Sequence, residues 1–189
     1  MLSGVINMHS QGMAHRDLKP DNIILCSKTF DLKITDFGFA IPLEGRSRDG
    51  LLWSKVGTSA YMAPEILALK SYSGKSADIY ALGVILFILK FATMPMEVAR
   101  GFNRYYKMLK ENKVAEFWAN HVDHIKIDVS DEFKNLVTSM IHPDPEMRLD
   151  MADIIVSPWL RGECATQEQV VEEMSRREKI SQDLEQSRL

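Results

Sequence analysis

Apolar positions recur with helical spacing along most of this chain. Leu2, Val5, Ile6 and His9 fall at i, i+3, i+4 and i+7, one face of a short helix ending near Gly12, a residue suited to a helix C-terminus. No capping residue precedes Leu2, so the pattern reads as the second half of a longer helix. Ile23–Leu25 and Leu32–Ile34 are two short β-type runs joined closely enough for a hairpin. Residues 39–60 carry neither period but hold Gly45, Gly50 and Gly57, and so long a loop in a compact domain is usually functional or disordered. Helices resume after Pro64. Asp78 to Phe91 is apolar nearly all round and predicts a buried central helix.

Val98, Phe102, Tyr105, Tyr106 and Leu109 predict an amphipathic helix. Phe133, Leu136, Val137, Met140 and Ile141 predict another, with Ser130 as N-cap and Asp131 and Glu132 in its first turn. Asp150 caps a further helix through Met151, Ile154 and Ile155, stopped by Ser157-Pro158. Thr166 and Gln169 form a capping box for a tail helix with a thin apolar stripe: Val170, Met174, Ile180 and Leu184. The pattern predicts a mainly α body followed by a helical tail.

Charge sharpens the division. Residues 163–189 hold seven acidic against four basic residues, the whole net charge of −3. The rest is balanced, and no basic field points to nucleic acid. The longest apolar run, Ala81–Leu89, is far below the ~20 residues of a membrane span, and no signal peptide is evident. Cys26 and Cys164 read as two free thiols in a reducing compartment, cytoplasmic or nuclear. Trp53, Trp118 and Trp159 read as packing groups, and His121 with His124 as a surface pair rather than a zinc site.

The chemistry gathers in His15-Arg16-Asp17-Leu18-Lys19-Pro20-Asp21-Asn22 and, fourteen residues after Asn22, Asp36-Phe37-Gly38. Asp17 can accept a hydroxyl proton and Lys19 can reach a phosphate. Asn22 and Asp36 offer oxygens to magnesium, which takes few protein ligands beside phosphate oxygens. Together they suit phosphoryl transfer, which needs an in-line nucleophile and neutralised phosphate charge.

These motifs, with Ala63-Pro64-Glu65 and Asp78-Ile79-Tyr80-Ala81-Leu82-Gly83, resemble the signature series of eukaryotic protein kinases. Lys19 two residues after Asp17, and Gly57-Thr58 before Tyr61, resemble the serine/threonine branch. Pro143–Leu149 and Ser157–Leu160 resemble the closing segment of the family's C-terminal lobe. The general look is similar to the calmodulin-dependent and AMP-activated kinase group.

The resemblance implies a protein-kinase-like C-terminal lobe, with a small hairpin region carrying the catalytic and metal loops. It implies ATP and Mg2+ as cofactors and a protein serine or threonine as substrate. Asp17 is then the catalytic base, Lys19 the phosphate contact, and Asn22 and Asp36 the metal ligands. Ile24 lies under the adenine and Thr35 lines the nucleotide pocket. His15 and Phe37 stack in the spine that sets Asp36. Glu65 pairs with Arg148, and Asp78 holds the backbone around Arg16-Asp17. Thr58 sits in the substrate loop, and Arg16 receives a phosphate placed on Ser54 by an activating kinase.

The family's N-terminal lobe has no counterpart here. No two glycines lie two apart, and no lysine precedes Lys19, so the Gly-rich loop and the strand lysine of that lobe are missing. Ile24, Leu25, Phe37 and part of the first helix are then expected to expose apolar surface, with weak nucleotide binding. Three readings stay open: a piece of a longer kinase, an inactive remnant that binds substrates or regulators, or a lobe completed by another chain.

Overall fold

The computed structural model describes residues 1–123 and 128–186. Eight helices and two two-stranded sheets are found among them. Helix α1 (Leu2–Ser10) buries Val5, Met8 and His9. Strand β1 (Met13–Ala14) follows, and a 3-10 turn over Pro20–Asn22 leads into β2 (Ile23–Leu25). Strand β3 (Leu32–Ile34) pairs antiparallel with β2, Ile24 opposite Lys33, to give the hairpin that the two apolar runs predict. Strand β4 (Ile41–Pro42) returns to pair with β1.

The 39–60 segment is laid down against the body. After β4 it turns at Gly45 and Gly50, both at positive φ. Leu52 then exchanges both backbone hydrogen bonds with Tyr72, at 2.8 and 2.9 Å. Trp53 departs from the expected packing role: it is 65% exposed, because the Leu52 bridge turns Leu52 inward and its neighbour outward.

Helix α2 (Pro64–Leu67) is one short, wholly buried turn. The central helix α3 (Gly74–Phe91) begins four residues before the expected Asp78, because Ser73 caps it, its hydroxyl accepting from the Ser76 amide at 3.4 Å. Asp78 therefore sits in its second turn. One side of α3 joins a cluster with Phe117, Trp118, Phe133 and Val137; the other packs with Val5, Leu18, Leu136 and Ile154. At Gly83 a Cβ would fall 2.7 Å from Ile141 Cγ2, so the glycine permits the close approach of the next-but-two helix.

Helix α4 (Arg104–Lys110) is shorter than the 98–109 periodicity predicts. Asn103 caps it, accepting from the amides of Tyr105 and Tyr106 at 3.0 and 3.2 Å. Val98–Phe102 stays irregular, with Phe102 77% exposed; coincidental apolar spacing mimics a helix there. Helix α5 (Val114–Val122), not singled out from sequence, supplies buried Phe117 and Trp118. Helix α6 (Asp131–Met140) is capped by Ser130, and its five predicted apolar residues are buried. Helix α7 (Met151–Ile155) is capped by Asp150.

His121 is half-buried rather than a free surface group: its Nε2 lies 3.1 Å from the Pro95 carbonyl and its ring between Tyr105, Phe87 and Phe117. Burial lowers its pKa. His124 lies outside the described residues. Trp159 packs edge-on to Phe133, and the Trp118 indole donates to Thr138 at 2.9 Å.

Helix α8 (Gln167–Gln186) starts with the predicted capping box: the Thr166 amide donates to Gln169 at 2.9 Å, and the Gln169 amide to Thr166 at 3.3 Å. Val170 and Met174 are half-buried, whereas Ile180 and Leu184 are exposed. Among the described residues no helix is long and apolar enough to cross a membrane.

Candidate active site

The loop between β1 and β2 is built on Asp78. This carboxylate, 1% exposed, accepts from the His15 amide at 2.9 Å and the Arg16 amide at 2.8 Å. It also accepts from His9 Nε2 at 2.9 Å. The expected hold on the backbone around Arg16-Asp17 is made through the amides of His15 and Arg16. Arg16 sits at φ 68°, a left-handed conformation uncommon for a side-chain-bearing residue, and two charge-assisted bonds to neighbouring amides offset that strain.

His15, fully buried, joins the loop to the segment that follows β3. Its Nε2 donates to the Thr35 carbonyl at 3.0 Å, leaving Nδ1 to accept from the Asp17 amide at 3.3 Å. Its ring meets Phe37 edge-on, centroids 5.1 Å apart. Thr35 in turn donates its amide and hydroxyl to the Asn22 carbonyl at 2.9 and 3.2 Å. The two halves of the sequence motif are thereby locked together.

Asp17 lies at the centre. Its Oδ1 accepts from the Thr58 amide at 2.7 Å. Its Oδ2 faces Lys19 Nζ at 2.9 Å and Asn22 Nδ2 at 3.3 Å. Asn22 also donates to the Asp17 carbonyl at 2.8 Å, and Lys19 to the Thr58 hydroxyl at 2.8 Å. Burial pushes the Asp17 carboxyl up, but the hydrogen bonds from Lys19 and Thr58 outweigh it and the net shift is down. The Lys19 ammonium is raised, first by the bond to Asp17, with Asp21 and Asp36 adding to it. Thr58 is brought in by Gly57, whose φ is 102° and where a Cβ would collide with the Arg16 carbonyl oxygen.

Asp36 is exposed and stands at φ 59°, its Oδ1 accepting from the Gly38 amide at 3.3 Å. Asn22 Oδ1 and Asp36 Oδ2 have no donor among the described residues. Two unengaged oxygens on either side of one loop fit a hard cation that completes its shell with phosphate and water. No group of three or more His, Cys, Asp or Glu suited to a metal is found among the described residues. Ile24 is 55% exposed, beside the half-buried Thr35.

Two further groups lie behind. Arg16 donates Nε to the Phe39 carbonyl at 2.7 Å and Nη1 to the Ser54 hydroxyl at 2.6 Å. Tyr72 joins them: its hydroxyl donates to the Ser54 carbonyl at 2.8 Å and accepts from Arg16 at 3.4 Å. Arg148, 7% exposed, makes a bidentate bridge to Glu65 at 2.8 and 3.1 Å, and binds the Ser76 and His142 carbonyls. Sequence reasoning did not single out His9 or Tyr72 for the site. A histidine on an apolar helix face was a signal for the first; the second had none.

This arrangement can orient a hydroxyl, neutralise phosphate charge and hold a hard cation. The family described as "Protein kinase domain" matches residues 1–160. The chain is 37% identical over 161 residues to CBL-interacting serine/threonine-protein kinase 5 of Arabidopsis thaliana, covering 85% of this chain and 34% of that protein. It is 36% identical over 162 residues to CBL-interacting protein kinase 10 of Oryza sativa subsp. japonica, covering 85% and 33%. It is 38% identical to CBL-interacting serine/threonine-protein kinase 16 of Arabidopsis thaliana, covering 85% and 34%. The chain belongs to the eukaryotic serine/threonine protein kinase family. It spans about a third of the length of the curated relatives it matches.

Proposed function

We propose that residues 1–160 are the C-terminal lobe of a serine/threonine protein kinase, followed by an acidic tail over 161–189. The lobe supplies the groups that transfer phosphate from ATP to a protein hydroxyl. The observation that carries this reading is the Asp17 carboxylate, buried and aligned by Thr58, Lys19 and Asn22 at 2.7, 2.9 and 3.3 Å. A carboxylate held ionised in this way accepts the proton of an incoming serine or threonine hydroxyl. Lys19, already facing Asp17, sets its positive charge beside the transferring phosphate. Asn22 Oδ1 and Asp36 hold magnesium, and Ile24 and Thr35 face the nucleotide. Held there with ATP, magnesium would supply positive charge against the phosphates. Thr58 lies where it bonds Lys19 and so links substrate engagement to the catalytic pair. The test is magnesium-dependent phosphate transfer from labelled ATP to serine/threonine peptides. Transfer is expected to vanish in Asp17→Asn and Asp36→Ala; transfer that survives either substitution overturns the reading.

The Arg16–Ser54 contact at 2.6 Å supports a regulatory role for Ser54. A phosphate there, placed by an activating kinase, meets the Arg16 guanidinium and strengthens a contact already formed. Phosphosite mapping of the active protein checks this: Ser54 found unmodified in fully active protein overturns it.

A second reading, an inactive module that binds substrates or regulators, is favoured by one observation. Ile24, Leu25 and Phe37 are 55%, 46% and 53% exposed on the nucleotide side. It requires that the chain transfer no phosphate and that Asp17→Asn leave partner binding unchanged.

A further inference from the structure

Each cysteine lies three residues before one end of a single contact. Cys26 opens the turn between β2 and β3, and Cys164 lies in the irregular stretch before α8. Three residues after each, Gln167 Nε2 donates to the Thr29 carbonyl at 2.7 Å across 138 residues of sequence. That bond ties the start of the tail helix to the hairpin turn. Both thiols are free; Cys26 is half-buried and Cys164 exposed, with only a weak 3.7 Å contact to the Gly162 carbonyl.

We infer that Cys26 and Cys164 are an oxidation site: a hydroperoxide joins them in a reversible disulfide that pins the start of α8 to the β2–β3 turn. A disulfide places the two Cα atoms about 4.4–6.8 Å apart. The Cys26 thiol lies against the Thr29 hydroxyl and amide, and Thr29 is the residue that Gln167 binds, so the span left to close runs back from Gln167 to Cys164, three residues away. The exposed 163–166 segment has no regular structure and is the part that adjusts.

Cys26 is the attacking thiol. The turn folds back through a 2.8 Å bond from the Phe30 amide to the Cys26 carbonyl. The Thr29 hydroxyl and the amides of Thr29 and Lys28 thereby hold the Cys26 thiol down to about 7, while burial and the Asp31 carboxylate oppose them more weakly. About half of it is thiolate near neutral pH, and the thiolate is the reactive form. The thiolate attacks one peroxide oxygen and the O–O bond breaks. With hydrogen peroxide, sulfur is oxidised to sulfenic acid and the departing hydroxide takes a proton to become water. The Cys164 thiolate then attacks the Cys26 sulfur, the S–S bond forms, and the sulfenic oxygen leaves as a second water. Two thiols lose two electrons in all, and one hydroperoxide takes them. A thiol returns the pair to the reduced state by exchange.

The full chain, treated with one equivalent of hydrogen peroxide, is digested with trypsin without reduction. The expected product is one linked pair, residues 17–28 joined to 162–176, since cleavage follows Arg16, Lys28, Arg161 and Arg176 and the Lys19-Pro20 bond resists. In Cys164→Ser, dimedone should trap a sulfenic acid on Cys26. In Cys26→Ser, Cys164 should remain a thiol at the same peroxide dose. Gln167→Ala should slow the linked pair several-fold in the otherwise native chain, and leave dimedone trapping unchanged when combined with Cys164→Ser. The inference is overturned by covalent dimers in place of the internal pair, by equal peroxide reactivity of the two thiols, or by oxidation of Cys26 to sulfinic acid with no pair formed.

Discussion

The loop that carries Asp17 has two unlike sides. Beneath it, three charges are buried and partnered: Asp78 with two amides and His9, and Arg148 with Glu65. Above it, Ile24, Leu25, Leu32 and Phe37 are 37–55% exposed. The lower side holds polar groups at short distances in a dry setting, where removing one partner leaves the other uncompensated. The upper side holds apolar groups that touch little. The geometry around Asp17 is therefore set from below, and nothing bound above is needed to create it.

The strongest way to break this contrast is Arg148→Ala, which strands the Glu65 carboxylate. We expect a loss of about 3–5 kcal/mol by urea unfolding, and Glu65→Ala should lose a similar amount. Next comes Asp78→Ala, which orphans the His15 and Arg16 amides. About 1–3 kcal/mol per stranded donor is expected, and the proposed phosphate transfer should fall with it. Retained stability in either variant would dissolve the distinction between the two sides.

A pH scan sharpens it further. The Asp17 carboxyl is lowered on folding, so its contribution is fully present above its ordinary value of 3.8 and is lost as pH falls through the lower folded one. Lys19 has the opposite sign: its contribution is full below its ordinary value of 10.5 and is lost as pH rises through the raised folded one. Wild type should therefore lose more stability than Asp17→Asn between about pH 5 and pH 2, and the two curves should run parallel near neutrality. The smallest effect is expected above the loop. Ile24→Ser should change stability by no more than about 0.5 kcal/mol, while reducing self-association measured by light scattering.

Local signals made much of the body legible. Ser130 before two acidic residues and a 3.6-residue apolar period marks α6, and Thr166 with Gln169 marks α8. The hairpin shows in two β-type runs close together. What misled was chance spacing, as at Val98 and Phe102, where the true start lies at Asn103. What stayed hidden was non-local. Two-residue strands such as β1 and β4 are too short to show a period, and the Leu52–Tyr72 bridge depends on how the 39–60 segment lies on α3. Asp17, Lys19, Asn22 and Asp36 could be listed from their spacing. The bonds joining them, through Thr58 and His15, span up to 41 residues of sequence, and no window reads that far. His9 and Tyr72 entered the site only through such long-range partners.

The two bonds from Asp78 also bear on how the molecule opens and closes. The amides of His15 and Arg16 belong to no helix or strand, yet each is tied to a carboxylate in the second turn of the central helix α3. Their hydrogens can exchange with solvent only when α3 and the loop come apart. In deuterated buffer they should exchange with the slow amides of α3 rather than with loop amides such as those of residues 44–50. The loop that carries Asp17 is then irregular in shape but behaves, on the timescale of unfolding, as part of the protein's central helix.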